Sequence, residues 1–296
     1  MREQRCHLAE PNCRRRWCKR LALALLVSVL VSACGWGWGQ RTSAVVSDKP
    51  TGVVVSRVVD GDTIEITAEG QTEVVRLIGI NSSEQGECLA DDAARLLEEL
   101  LAGHEVTLVS DSSDTDRYGR LLRYVYVDEL FINRVMVEQG LALSRRYEPD
   151  TAQSDELDLA QSEAVESGRG MWNREACGPS TGQVVEIGEI VYDAEGDDRK
   201  NLNGEWVDIR NPSDQVIELD QWAIRDESAS HRFGFPDGFS LEPGETVSIH
   251  SGCGTNTASH LFWCSGSGAI WNNTGDTVFV HDAAGNIVVF ERYVGQ

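Results

Sequence analysis

Asp62, Asn81, Ser82 and Glu84 supply oxygen donors, and Arg76, Arg117 and Arg120 supply cations, all within sixty residues of one another. Asp62 follows Asp60-Gly61 in VVDGDTIEI, where a tight connection between strands would aim its carboxylate outward. Fourteen positions later Arg76 interrupts the apolar run VVRLIGI, and an arginine in such a run requires an anionic partner. Asn81, the Ser82 carbonyl and Glu84 close that run, and DRYGR adds Arg117, Tyr118 and Arg120. Oxygens that suit a hard cation, flanked by guanidinium groups, fit a metal-assisted attack on phosphate. The same residues fit a structural ion-pair network equally well, and residue types alone leave both readings open.

The elements that must position these groups are mostly strands. Apolar runs at 53–59, 64–66, 74–80, 106–109 and 122–127 predict five short strands. Helical periodicity covers 89–101, with Leu89, Ala93, Leu96, Leu97 and Leu100 on one face, then 131–139 and 151–167. Five strands plus three helices are compatible with an OB-type barrel, a fold that often serves nucleic acid. Gly178-Pro179-Ser180-Thr181-Gly182 breaks the pattern and marks a linker over 178–183. Beyond it, apolar runs at 184–191, 205–209, 216–219, 222–224, 246–250, 277–280 and 287–290 predict a β-sandwich over 184–296. The fold class is therefore mainly β with α, in two domains, the first at 51–177.

DGDT, RLIGINSSE, DRYGR, RRYEP and GMW resemble, in order and spacing, the motifs of the staphylococcal nuclease (thermonuclease) family. Five positions separate Arg76 from Asn81 and three separate Asn81 from Glu84, and the resemblance covers roughly 51–177. It implies that Asp62, Asn81 and the Ser82 carbonyl hold Ca²⁺. It also implies that Glu84 acts as general base, that Arg76 and Arg120 clamp the scissile phosphate, and that the products carry a 3′ phosphate. The implied nucleic-acid contacts are Arg117, Tyr118, Arg145, Arg146 and Tyr147. Two departures stand out: Asn81 replaces the family's usual second metal carboxylate, and Arg145 stands where the family often has a nucleotide-stacking tyrosine. One less negative charge predicts weaker calcium binding. Arg145 and Arg146 are open to two readings, as phosphate contacts or as surface charges.

EIVYDAEGDDRKNLNGEWVDIRNPSD, LDQWAIRDES and IWNNTGDTVFVHD resemble the lamin-tail domain, an immunoglobulin-like sandwich, which implies a binding or positioning module. Asp193, Asp197, Asp198, Asn203 and Glu205 could make a second calcium site, but their spacing departs from the twelve-residue calcium loop and favours a hydrogen-bonded loop.

The N-terminus addresses the compartment. A basic stretch with Arg14, Arg15, Arg16, Lys19 and Arg20 precedes the apolar run LALALLVSVLVSA, which is short for a membrane span and reads as an export signal over 1–33. Val31-Ser32-Ala33-Cys34 resembles the bacterial lipobox, which implies cleavage before Cys34, lipid attachment there and a cell-surface lipoprotein, either anchored or released. Residues 34–50, rich in Gly and Ser, would be a flexible tether. Cutting before Cys34 leaves Cys88, Cys177, Cys253 and Cys264, an even set suited to an oxidising compartment; chain order favours Cys88 with Cys177 and Cys253 with Cys264, although three connectivities are possible.

The chain of 296 residues carries a formal net charge of −22, and loss of the basic leader would make it more acidic still. Such a field opposes polyanions, so a broad basic face for nucleic acid is excluded and any site must be a local cluster of arginines. Together these readings predict an exported calcium-dependent nuclease acting on DNA or RNA. The alternative is a non-catalytic nucleic-acid- or surface-binding protein that keeps the barrel.

Overall fold

A computed structural model describes residues 52–68, 70–228, 230–266 and 268–295. The leader, Cys34 and the tether lie outside the described residues. Among the described residues no helix is long and apolar enough to cross a membrane.

The first half contains β1 (Val53–Val58), β2 (Thr63–Ala68), β3 (Gln71–Leu77), β4 (Ile80–Ser82), α1 (Ala90–Leu101), β5 (Glu105–Val109), β6 (Leu121–Val127), β7 (Leu130–Phe131), α2 (Ile132–Glu138), β8 (Ala142–Ser144) and α3 (Ser154–Ser167). Strands β3-β2-β1-β5-β6 pair in that order, and a parallel pairing of β3 with β6 closes them into a five-stranded barrel. Alternation explains the closure: Ile64, Ile66, Val75, Leu77, Val106, Leu108 and Val125 turn inward and are buried. Leu97 and Leu101 of α1, Ile132 and Met136 of α2 and Leu157 of α3 join the same core. The three helices lie where the sequence periodicity puts them, within a few residues. The short pair β4–β8, with Asn81 opposite Leu143, is too brief to leave a periodic signal.

The second half contains β9 (Glu186–Val191), β10 (Trp206–Arg210), β11 (Ile217–Glu218), β12 (Ala223–Arg225), β13 (Arg232–Gly234), β14 (Ser240–Leu241), β15 (Thr246–His250), β16 (His260–Phe262), β17 (Gly275–His281) and β18 (Ile287–Val294). Sheets β16-β15-β10-β9 and β13-β12-β17-β18 bury a second core containing Trp222, Trp271, Ile209, Ile249, Val278 and Val280. Glu205 anchors this half: its fully buried Oε1 accepts from the Ile270 and Trp271 amides at 2.8 and 3.0 Å and from the Ser251 hydroxyl. No group of three or more His, Cys, Asp or Glu side chains suited to a metal occurs among the described residues. Glu205 is occupied as a hydrogen-bonding hub.

The halves keep separate cores yet pack together. The Trp172 and Phe290 rings meet tilted with centroids 4.9 Å apart, Arg292 reaches Asp158 at 3.2 Å, and the Asn286 side chain accepts from the Cys177 amide at 2.8 Å. The disulfides are Cys88–Cys177 and Cys253–Cys264. The first of these lies at the junction, with Gly285 of the sandwich against it.

Candidate active site

The turn from β1 to β2 carries Asp60, Gly61 and Asp62. A Cβ on Gly61 would come within 2.5 Å of the Ala93 Cβ and 2.8 Å of the Ser82 Cβ, so only glycine lets this turn lie against α1 and β4. That approach buries Asp62 and brings its Oδ2 to the Ser82 amide at 2.8 Å and the Ser82 hydroxyl at 3.2 Å, while Thr63 donates to Oδ1 at 3.0 Å. The Asp60 carboxylate accepts from the Asp62 amide at 3.0 Å; burial, then the neighbouring Asp62 charge, raises its pKa.

Arg76 finds the anionic partner its sequence context requires. Its Nη2 lies 3.0 Å from Asp62 Oδ2 and donates to Asn81 Oδ1 at 3.1 Å, while Nη1 donates to the Leu77 carbonyl at 2.7 Å. One guanidinium nitrogen therefore bridges the two side-chain oxygens expected to hold a cation. Buried Asn133 supports the segment leading to Asn81, donating to the Ile78 carbonyl at 2.8 Å and accepting from the Val125 amide at 3.0 Å. Glu84 is exposed just beyond β4. Partial desolvation, then Asp62, Asp60 and Glu87, raise its pKa, and Arg76 opposes them. Its titration thus responds to the same carboxylates and the same guanidinium.

Arg120 stands one residue before β6. The β3–β6 register sets Arg76 opposite Leu122, two residues beyond Arg120. Asp116 holds it, with Nε to Oδ2 at 2.7 Å, and Arg120 lies over the Tyr118 ring at 5.5 Å. Tyr118 is 67% exposed, with Arg117 at 4.8 Å from its ring centroid. Tyr147, 49% exposed, has Arg145 at 4.5 Å from its ring centroid. Both rings offer surface on which a base can stack.

Arg145 and Arg146, open to two readings as phosphate contacts or as surface charges, both have partners within the protein. Arg145 is 9% exposed and donates from Nη1 to the Glu227 carbonyl at 2.6 Å. Arg146 pairs with Asp155 at 2.5 Å and Asp158 at 2.8 Å at the start of α3. Acidic side chains close by in the fold satisfy Arg146, and a sandwich loop satisfies Arg145.

That loop is the part of the site that motif reading misses. Asn81 Nδ2 donates to the same Glu227 carbonyl at 3.2 Å. Glu227 sits in LDQWAIRDES, whose residues read as sandwich and carry no signal of proximity to Asn81. Its own carboxyl accepts from Thr277 Oγ1 at 2.6 Å, and burial pushes its pKa up to about 7.

The barrel half, residues 74–174, matches the family model described as Staphylococcal nuclease homologue, and residues 179–295 match the one described as Lamin Tail Domain. The thermonuclease of Staphylococcus intermedius is 31% identical over 160 residues, 52% of this chain and 94% of that protein. The chain belongs to the staphylococcal nuclease family. The micrococcal nuclease of Shigella flexneri is 34% identical, with 40% of this chain and 72% of that protein aligned. Endonuclease YncB of Bacillus subtilis (strain 168) is 32% identical over 43% of this chain and 64% of its own length. In these matches roughly half of the chain or less is shared with a nuclease-family relative; the lamin-tail half is a separate module joined to it.

Proposed function

We propose that this protein is a calcium-dependent nuclease that hydrolyses phosphodiester bonds of DNA or RNA and leaves 3′-phosphate ends. The observation that carries the proposal is the bridge made by Arg76 between Asp62 and Asn81. Two oxygens converging within 3.0 and 3.1 Å of one cationic nitrogen form a pocket that suits positive charge. The donor set is all oxygen, which fits calcium, with Asp62, Asn81 and the Ser82 carbonyl as its holders. When bound, the ion would neutralise charge on the scissile phosphate.

The remaining chemistry falls to side chains. Glu84 accepts a proton from the attacking water as its oxygen bonds to phosphorus, and the bond to the 5′ oxygen breaks, that oxygen taking a proton from solvent. Arg76 shifts a hydrogen bond from Asn81 to a phosphate oxygen, and Arg120 donates from the turn that precedes β6, so both stabilise the charge that builds in the transition state. Tyr118 and Tyr147 receive flanking bases.

The leader supports export, and Val31-Ser32-Ala33-Cys34 supports lipid attachment at Cys34, which would put the nuclease at a cell surface. The contacts of Glu227 with Asn81 and Arg145 support a positioning role for the sandwich. They also favour a second reading, in which a barrel with Asn81 occupied by the sandwich binds nucleic acid without cleaving it. Incubating the full chain with single-stranded DNA, in calcium or in chelator, decides between them. Calcium-dependent fragments ending in 3′ phosphate are expected, and intact DNA that co-purifies with the protein would favour the second reading.

A further inference from the structure

Between barrel and sandwich, next to the site, lies a cavity of about 500 Å³, within the range of roughly 300–1,000 Å³ typical of small-ligand sites. Asn81 and Ser82 form one wall, and Glu87, Arg225, Arg232, Phe279 and His281 line it further on. The sheet register explains the grouping: Arg232 of β13, Arg225 of β12 and Phe279 of β17 are in one row across three strands. His281, two residues past Phe279, shares their face.

Two guanidinium groups directly opposite each other repel, and burial followed by Arg225 lowers the pKa of Arg232. Among the described residues Glu87 is the one acidic side chain that contacts them, and it meets Arg225 only at a long 3.4 Å. Arg232 has no hydrogen bond or ion pair among the described residues. In a chain of net charge −22, with acids available throughout, this surplus of positive charge is unusual. His281 adds a second, independent mark. Its Nδ1 donates to the Gly285 carbonyl at 3.0 Å, which leaves Nε2 as a bare acceptor, buried and without a partner among the described residues.

We propose that this cavity holds a nucleotide unit of the substrate strand beside the scissile bond, its phosphate on Arg225 and Arg232 and a sugar hydroxyl donating to His281 Nε2. Paired guanidinium groups match phosphate oxygens, and an unprotonated imidazole nitrogen matches a hydroxyl. The sandwich then contributes directly to substrate binding. This rests on the nuclease reading for the identity of the strand, though the binding itself is measurable without turnover.

The test uses the full chain and Arg232→Gln, chosen because Arg232 has no hydrogen bond or ion pair among the described residues to lose, with thermal melts to confirm that both fold alike. Binding of a fluorescein-labelled single-stranded oligonucleotide in chelator is followed by anisotropy across a salt series. Loss of one phosphate contact predicts roughly fivefold to tenfold weaker binding and a log Kd versus log salt slope shallower by about 0.7, which a structural role would not produce. With calcium, KM should rise by a similar factor while kcat stays within about twofold. Equal oligonucleotide affinity and equal salt slopes would overturn the proposal even if the wild type cleaves DNA. If instead the wild type binds more tightly than the variant but neither cleaves, the site stands and the nuclease reading falls. A melting shift by inorganic phosphate that the variant loses, with oligonucleotide binding unchanged, would assign the cavity to free phosphate and overturn the strand assignment.

Discussion

Asn81 shows what an amide can do that a carboxylate cannot. Its oxygen faces Arg76 and its nitrogen donates to the Glu227 carbonyl at 3.2 Å, so one side chain serves both the cation pocket and the domain contact. Asn81→Asp removes the donor and sets a negative charge against a carbonyl oxygen. Stability should fall by about 1–3 kcal/mol in urea melts, while calcium affinity rises because the site gains a charge. A variant with unchanged stability would remove the domain contact as the reason for the amide. For turnover, Glu84→Gln should reduce kcat by roughly 10²-fold or more with nucleic-acid binding retained. Arg120→Ala should lose activity on a comparable scale, whereas Arg146→Ala, paired away from the site with Asp155 and Asp158, should lose far less. Equal losses for the two arginine variants would misplace the phosphate clamp.

At the scale of elements, the strand-to-strand loop between β12 and β13 is where proton uptake enters stability. Burial pushes Glu227 up to about 7 and Asp226 up to about 6, both above the range of an unfolded carboxyl. The folded state therefore holds these protons where the unfolded state has released them, and the stability they contribute is lost as pH rises from about 4.5 through about 7. The melting temperature should be higher near pH 5.5 than near pH 8, and Glu227→Gln, which stays neutral, should flatten part of that slope. A melting temperature that climbs with pH would contradict the burial of this loop. The same loop marks the limit of what the chain pattern discloses. Period-2 and period-3.6 runs are long enough to reveal the barrel strands, α1, α2 and α3, and motif spacing singles out Asp62, Arg76, Asn81 and Glu84. Asn81 and Glu227 are 146 residues apart and meet where a three-residue strand faces a loop, which leaves no periodic trace. The three-residue strands β4, β13 and β16 escape for a related reason: alternation needs at least four or so residues to be read.

For the whole molecule, charge dominates. Many arginines outside the site are already neutralised, as in Arg57 with Glu65, Arg123 with Asp114 and Arg134 with Glu138, Glu156 and Glu163. Among the described residues few remain to attract a polyanion, and a net charge of −22 repels it. The Debye length falls from about 30 Å at 0.01 M salt to about 8 Å at 0.15 M, so added salt should suppress that repulsion before it weakens the close contacts of the site. Activity at saturating calcium should climb from about 0.01 M toward roughly 0.2 M salt before declining. A monotonic fall from the lowest salt would show that local arginines, not the overall field, govern capture.

The shared carbonyl of Glu227 also bears on how such proteins are recombined. A barrel excised from this chain would leave the Arg145 guanidinium and the Asn81 amide without their acceptor, and a sandwich grafted from elsewhere would restore it only if its own loop reached the same point in the same orientation. Gene fusions that treat the two modules as interchangeable cassettes should therefore yield folded chimeras with impaired chemistry. Their rescue would come from changes at positions 81 and 145 rather than from a longer linker.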